Sequence, residues 1–355
     1  MSVSVSLLQR EAAELHPAYF ALVMATGIVS IASHLLGMTF ISWPLLAINV
    51  VAYIVLWLFF LTRLLRYPDR LLHDLASHTL GPGFLTMVAG TCVLGSQLIV
   101  VLQDFAVARV LWFVGIALWL LLFYAFFSMV TLKEQKPPLE AGVNGAWLLM
   151  VVSTQSVAVL GGLLVARFPG SEGPVLFFSL CMYLLSCMLY ILIITLIFSR
   201  FMFFKVNPND LTPPYWINMG AVAITTLAGA VLMLNAEQWP PLVELVPFIK
   251  GFTLFFWATG TWWIPLLLIF GGWRHIYKRL PLTYHPLYWG LVFPLGMYTT
   301  CTLRLIQATG YDFLAWIPHV FIYLAIIAWA LTFYGMSRRL LGKLIAEGRE
   351  PKPAR

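Results

Sequence analysis

Hydroxyl side chains recur near the middle of five separate apolar runs of the sequence. Each group begins six to ten residues after an aromatic residue at the start of its run, which is about 9–15 Å along a helix. Such O–H groups can donate hydrogen bonds to a passing anion without binding it as tightly as Lys or Arg would. Alternatively, they bond to their own backbone or join neighbouring helices. The set comprises Thr26, Thr91, Ser153, Thr154, Thr225, Thr226, Thr299 and Thr300.

Acidic side chains are absent from the middle of every apolar run. Because proton relays and cation sites inside membranes usually depend on carboxylates, this pattern disfavours cation transport and carboxylate-coupled pumping. Arg304, near the end of the ninth run, either extends to the membrane interface or lies at an outer mouth where it attracts anions. The sequence shows no nucleophile–base pair, phosphate loop or metal-ligand pattern, so we expect neither an enzyme nor a bound metal or cofactor.

The composition indicates a membrane protein. The chain has 355 residues, of which 61% are hydrophobic and 10% charged, and its mean hydropathy is +0.90. An ordinary soluble domain contains about 25% charged residues, so a soluble enzyme, a secreted disulfide module and a nucleic-acid-binding domain all fit poorly. The four cysteines lie in apolar runs without a C-x-x-C pair, and we expect them to be buried small hydrophobic residues. They are Cys92, Cys181, Cys187 and Cys301.

Ten apolar runs are separated by short breaks that contain charged residues or proline. Since a membrane-spanning helix needs about 20 apolar residues, each run is predicted to be one span. We expect a transmembrane domain over 16–340, an N-terminal cytoplasmic segment over 1–15 and a cytoplasmic tail over 341–355. The predicted spans are 17–38, 43–64, 81–102, 107–131, 145–166, 174–200, 214–235, 246–271, 286–308 and 314–337.

The distribution of basic residues predicts the orientation. With residue 1 in the cytoplasm, 17 of the 21 lysines and arginines fall in inner segments. Because cytoplasmic segments are enriched in these residues, both ends of the chain are predicted to be cytoplasmic. The same bias explains most of the net charge of +7, which therefore does not by itself identify an anionic substrate. The four exceptions are Arg109, Arg167, Lys250 and Arg304.

The starts of the odd-numbered runs form an internal repeat. Each opens with proline or glycine and then an aromatic residue, and in four copies a methionine follows; Phe293 takes its place in the fifth. A two-helix repeat places every copy in the same orientation, so the copies are related by rotation about the membrane normal. The five starts are HPAYFALVMATG, GPGFLTMVAGT, NGAWLLMVVST, PPYWINMGAVA and HPLYWGLVFPLG, from residues 16, 81, 144, 213 and 285.

Small residues are more frequent in the odd-numbered runs than in the even-numbered ones. Since small residues allow helices to approach closely and line narrow lumens, the odd helices are predicted to be inner and the even helices outer. The predicted fold is therefore an all-α membrane protein in which ten helices form five parallel hairpins in a quasi-fivefold ring around a central pore. Besides the hydroxyl set, we expect Met24, Gly27 and Gly90 to line this pore.

Four stretches of the sequence resemble one membrane family. PAYFALVMATGIVSIA, GPGFLTMVAGT, PPYWINMGAVAITTLAG and YWGLVFPLGMYTT are similar to the tellurite-resistance/dicarboxylate transporter family, which includes plant slow-type anion channels, the yeast malate permease and the fungal sulfite exporter. The resemblance extends over about 16–340. It implies a homotrimer and an occluding pore phenylalanine at Phe293, and leaves chloride, nitrate, sulfite and C4-dicarboxylates open as substrates.

We therefore expect an anion channel or facilitator in the plasma membrane, a bacterial inner membrane in our interpretation. The alternative is a proton-coupled carrier of C4-dicarboxylates or sulfite, or a tellurite-resistance transporter, on the same scaffold. In either case the partners would be small anions and the lipid bilayer, with no nucleic acid. Phe293 is the predicted gate, since it precedes the helix-breaking Pro294, and Arg304 is the predicted outer-mouth residue.

Overall fold

The computed structural model describes residues 9–347, and all regular secondary structure in that range is helical. Each of the ten predicted spans corresponds to one helix. In chain order the helices are α1 (Ala21–Leu35), α2 (Thr39–Arg66), α3 (Thr86–Gln97), α4 (Phe105–Leu132), α5 (Leu149–Leu164), α6 (Glu172–Phe203), α7 (Ile217–Leu234), α8 (Pro240–Gly272), α9 (Trp289–Thr309) and α10 (Trp316–Glu347).

Nine helices within the described range are long and apolar enough to cross a membrane. The exception among the ten is α9, which has 21 residues but contains four threonines and Arg304. The even-numbered helices extend beyond the predicted spans, and α10 continues past residue 340, where we placed the end of the membrane domain. The remainder of the predicted tail, 348–355, and residues 1–8 of the predicted N-terminal segment lie outside the described residues.

Burial separates the odd from the even helices. In the spans that contain α1, α3, α5 and α7, between 83% and 94% of residues are buried, against 22–50% in the spans of the even helices. This pattern agrees with the small-residue content of the odd runs. One cysteine prediction is wrong, because Cys181 is exposed on α6 while Cys92, Cys187 and Cys301 are buried. Cys181 lies on an outer helix, where a small apolar side chain can face lipid.

The odd helices, which we call the inner helices, pack against one another in a cyclic order. α1 packs on α3, α3 on α5, α5 on α7, α7 on α9, and α9 on α1. Each even helix, or outer helix, packs along the inner helix that precedes it and also contacts the next inner helix in this order. The core of the molecule therefore lies between the five inner helices.

A short 3-10 turn precedes each inner helix, and these turns contact one another in the same cyclic order. Proline or glycine begins each turn, where a missing N–H or a missing side chain costs little. Gly145 shows the need for glycine directly, since a Cβ atom there would lie 2.4 Å from the carbonyl oxygen of Pro214. This end of the molecule also carries Arg63 and Arg66 of α2, and we call it the basic face.

Candidate functional site

A small cavity lies between the five inner helices. Its volume is about 30 Å³, which is room for a water molecule or two. Residues of α1, α3, α5, α7 and α9 all contribute to the lining, ten of the fourteen lining residues being apolar. The four polar residues are Ser96, Ser156, Thr300 and Arg304.

Arg304 is the one charged residue that lines the cavity. It lies near the end of α9 that is opposite to the basic face, and its Nη1 donates a hydrogen bond to Gln307 Oε1 at 2.8 Å. Among the described residues, Gln307 is the hydrogen-bond acceptor of the Arg304 guanidinium. No carboxylate there neutralises its charge. A half-buried, unneutralised guanidinium makes the cavity electropositive and attracts anions.

The hydroxyl protons around the cavity are bonded to the backbone of their own helices. Ser96 Oγ donates to the Cys92 carbonyl at 3.0 Å, Ser156 Oγ to Ser153 at 2.7 Å and Thr300 Oγ1 to Gly296 at 3.1 Å. An anion in the cavity would have to compete with these bonds for a donor. The walls can therefore offer only weak ligation, which favours passage over tight binding.

Phe293 is fully buried in α9. It precedes Met297, Thr300 and Arg304 at intervals of four, three and four residues, so all four side chains share one face of the helix. Phe293 thus lies about 6 Å from Met297 toward the basic face. Met24 lies four residues before the cavity residue Ile28 on α1. The two side chains therefore share one face of that helix.

Several predicted hydroxyls instead contact outer helices. Trp329 Nε1 of α10 donates to Thr26 Oγ1 at 2.9 Å, and Trp119 Nε1 of α4 donates to Thr154 Oγ1 at 2.9 Å. The hydroxyls of Tyr53 and Thr91 lie 3.0 Å apart. In each pair the aromatic residue belongs to an outer helix and the threonine to the next inner helix in the cyclic order.

The two remaining contacts between an outer helix and the next inner helix are bridged in the same way. Tyr190 of α6 donates to the Asn218 carbonyl of α7 at 3.2 Å, and Trp257 Nε1 of α8 donates to Thr302 Oγ1 of α9 at 3.1 Å. We call these five contacts the junction hydrogen bonds. These bonds were not predicted from the sequence, although Trp and Tyr in the middle of the even spans were a visible signal.

The other predicted pore residues do not line the cavity in this conformation. The hydroxyls of Ser153, Thr225, Thr226 and Thr299 donate to carbonyls three or four residues earlier in their own helices. Gly27 and Gly90 lie at helix–helix contacts. A Cβ atom on Gly27 would approach Val93 Cγ1 to 2.8 Å, and one on Gly90 would approach the Phe20 carbonyl to 3.2 Å. Of the predicted pore-lining set, Thr300 is the member that the structure places at the cavity.

Two histidines begin inner helices at the basic face. The Nδ1 atoms of His16 and His285 accept the backbone N–H groups of Ala18 and Leu287, and the two rings lie 5.5 Å apart edge to face. An accepting Nδ1 requires the neutral ring. Burial, with a smaller contribution from His285, lowers the pKa of His16 to about 4, and burial likewise lowers the pKa of His285.

These features define the class of protein: an all-helical, multi-span membrane protein whose inner helices enclose a cavity with one uncompensated arginine. Residues 14–337 match the SLAC1 family, described as voltage-dependent anion channel. The chain belongs to this family, which confirms the resemblance inferred from the sequence.

Relatives of the chain include named transporters. A Methanocaldococcus jannaschii protein, described as an uncharacterized transporter, is 24% identical over 88% of this chain and 91% of its own length. The sulfite efflux pump SSU1 of Trichophyton rubrum is 22% identical over 90% of this chain and 88% of its own. An uncharacterized membrane protein of Mycobacterium tuberculosis is 37% identical over 45% of this chain and 81% of its own. The described functions among these matches are transport functions, not enzymatic ones.

Proposed function

We propose that this protein lets small anions cross the membrane along the axis of its five inner helices, and that Phe293 closes the path in the present conformation. The observation that carries the proposal is the cavity to which all five inner helices contribute, with Arg304 as its charged lining residue. The path would run from Arg304 past Thr300 and Met297 to Phe293 and Met24.

The finer architecture is part of this proposal. We infer five parallel hairpins in a quasi-fivefold ring. The cyclic packing order of the inner helices and the five junction hydrogen bonds support it, including the bond from the last hairpin to the first. Thr26, Thr91 and Thr154 would then hold hairpins together. The homotrimer and the plasma-membrane location belong to the proposal as well.

Small inorganic anions fit the cavity better than C4-dicarboxylates do. A volume of about 30 Å³ accommodates a water-sized species, and one guanidinium balances one negative charge. The similarity to sulfite efflux pumps makes sulfite a substrate to test beside chloride and nitrate. Proton-coupled carriage, the alternative mechanism, has less support, since the cavity lining contains no carboxylate.

The test is anion-substitution flux in proteoliposomes that contain the purified protein. We expect chloride, nitrate or sulfite to exceed malate, without saturation and without dependence on a pH gradient. Saturable flux driven by a pH gradient would instead establish the proton-coupled carrier, and the absence of flux of any anion would refute transport.

Arg304→Gln tests the attraction of anions. Because salt screens an exposed charge over about 10 Å at 0.1 M, we expect this variant to reduce flux several-fold at low salt and less at high salt. Arg109→Gln, which removes an arginine from α4 away from the cavity, is the control. Equal salt dependence in wild type and Arg304→Gln would assign Arg304 to the membrane interface.

A further inference from the structure

A second cavity lies at the basic face, at the junction between the fourth and fifth hairpins. Its volume is about 130 Å³, and it is enclosed by the start of α7, the end of α8 and the start of α9. Trp216, Leu267 and Phe270 form part of an apolar wall, while Thr212, Arg274 and His275 are polar lining residues. The cavity is therefore amphipathic, with its basic groups at the end of α8.

Arg274 is held in place and keeps an unused donor. One guanidinium Nη atom donates to the Leu211 carbonyl, while the buried Nε atom has no hydrogen-bond partner within the described residues. Because Arg274 lines the cavity, its remaining guanidinium N–H groups can donate to an acceptor that binds there. His275 Nδ1 bonds to the Leu280 carbonyl at 2.9 Å, which fixes the ring beside the cavity.

The surroundings of Arg274 are basic. Lys278 and Arg279 follow it four and five residues later, and the sequence contains no Asp or Glu between Glu244 and Asp312. Asp210, which precedes the cavity residue Leu211, is paired with Arg200 at 3.7 Å. The basic charge at the end of α8 therefore has no acidic counterpart of its own.

The chain beside the cavity carries the residues of a membrane interface. Ile276 is 80% exposed, Tyr277 73% and Leu282 74%, and Lys278 Nζ lies 5.2 Å from the centre of the Tyr277 ring. Exposed aromatic and aliphatic groups beside lysine and arginine are typical of segments that lie at the lipid headgroups.

We propose that this cavity binds the phosphate group of an anionic phospholipid from the leaflet at the basic face. The Arg274 guanidinium, with the Thr212 hydroxyl, would contact the phosphate, and the apolar wall would contact the glycerol and the first methylenes of a chain. Basic pockets between transmembrane helices are known to suit such headgroups. Free inorganic phosphate would make the same contact with Arg274 but would leave the apolar wall without a partner.

A larger groove at the neighbouring contact, where the last helix pair meets the first, provides a contrast. It has a volume of about 570 Å³ between α2 and α10, but Glu11 and Glu14 lie at its end on the basic face. Carboxylates repel a phosphate, so we expect anionic lipid to bind at Arg274 and not at this groove.

The experiment measures the thermal midpoint of detergent-purified protein titrated with phosphatidylglycerol, with phosphatidylcholine and with inorganic phosphate. We expect phosphatidylglycerol alone to stabilise the protein strongly. Arg274→Gln should weaken its apparent affinity about tenfold or more, as expected for loss of a charge-assisted hydrogen bond. Arg66→Gln, which removes an exposed arginine from the same face, should leave the affinity unchanged.

Leu291→Trp provides a second variant, since it fills the cavity while leaving the Arg274 contact with Leu211 in place. It should abolish the effect of phosphatidylglycerol even if Arg274→Gln proves too unstable to purify. Equal stabilisation by phosphatidylglycerol and phosphatidylcholine, or an unchanged affinity in Leu291→Trp, would overturn the proposal. If inorganic phosphate stabilised the protein as strongly as phosphatidylglycerol, the ligand of this cavity would be free phosphate and not a lipid. The readout is independent of transport, so its failure leaves the proposed anion pathway intact.

Discussion

At the scale of single residues, Phe293 is the side chain that we propose as the barrier to permeation in this conformation. It is fully buried, and it lies on the same face of α9 as the cavity residues Met297 and Thr300. An anion that meets a phenyl ring loses hydration without gaining a hydrogen bond, which is costly. We therefore expect Phe293→Ala to raise anion flux several-fold in proteoliposomes.

The matched control for this prediction is Phe256→Ala. Phe256 is also fully buried, but it belongs to the outer helix α8. Both substitutions leave a cavity that costs about 3–5 kcal/mol, so both should lower thermal stability, while only Phe293→Ala should raise flux. A folded Phe293→Ala protein with unchanged or reduced flux would show that this ring serves packing alone.

His16 makes stability depend on pH. Its pKa is lowered to about 4 by burial and by His285, with Arg63 acting in the same direction and Asp74 in the opposite one. Since the ordinary histidine pKa is about 6.5, the unfolded chain binds more protons between these values, and stability is lost as the pH falls through this range. His16→Asn keeps an acceptor for the Ala18 N–H but does not titrate.

Wild-type protein should therefore lose about 1–3 kcal/mol more stability than His16→Asn between pH 7 and pH 4. Thermal unfolding in detergent at a series of pH values measures this difference. Parallel pH profiles for the two proteins would mean that protonation of His16 is not coupled to folding.

The hydroxyl residues show how far the sequence predicts the site. Their depth in the membrane follows from spacing along each run, but the direction of each side chain depends on which neighbour offers a partner. Thr26 accepts a bond from Trp329, 303 positions away in the chain, and no local pattern encodes that contact. Ser96 and Ser156 line the cavity without belonging to the predicted set, because their neighbours leave that face of the helix open.

At the scale of helices, the division into inner and outer elements was predictable from composition. The inner runs carry small residues, and their helices are buried; the outer runs are rich in Leu and Phe, and their helices are largely exposed. The helix ends were less predictable. α6 and α8 contain 32 and 33 residues, because an outer helix can continue beyond the hydrocarbon layer while its backbone stays hydrogen-bonded.

The junction bond between Trp329 and Thr26 joins the last hairpin to the first. Trp329→Phe removes the N–H donor and leaves the ring, so we expect a loss of about 0.5–1.5 kcal/mol of stability. Trp262→Phe is the control, since Trp262 is 55% exposed on α8 and should tolerate the change. Equal thermal midpoints for the two variants in detergent would show that this bond does not stabilise the contact between α10 and α1.

At the scale of the whole molecule, the two ends of the described chain meet at the basic face. Lys343, near the end of α10, pairs with Glu11, which precedes α1. Both ends of the described range therefore lie at the same face of the molecule, as the proposed ten spans would require. The same face carries Arg63, Arg200 and Arg274 at the ends of outer helices.

From this asymmetry we propose that the basic face is cytoplasmic, since basic residues remain on the cytoplasmic side during insertion. We expect a tag fused after Arg355 to be cleaved by protease added to inside-out vesicles and to be protected in right-side-out vesicles. A cysteine placed at Gln307, which is exposed beside Arg304 at the opposite end of α9, should react with an impermeant maleimide on intact cells. Cleavage of the tag only in right-side-out vesicles, with Gln307→Cys protected on intact cells, would reverse the assignment and place Arg304 at the cytoplasmic mouth.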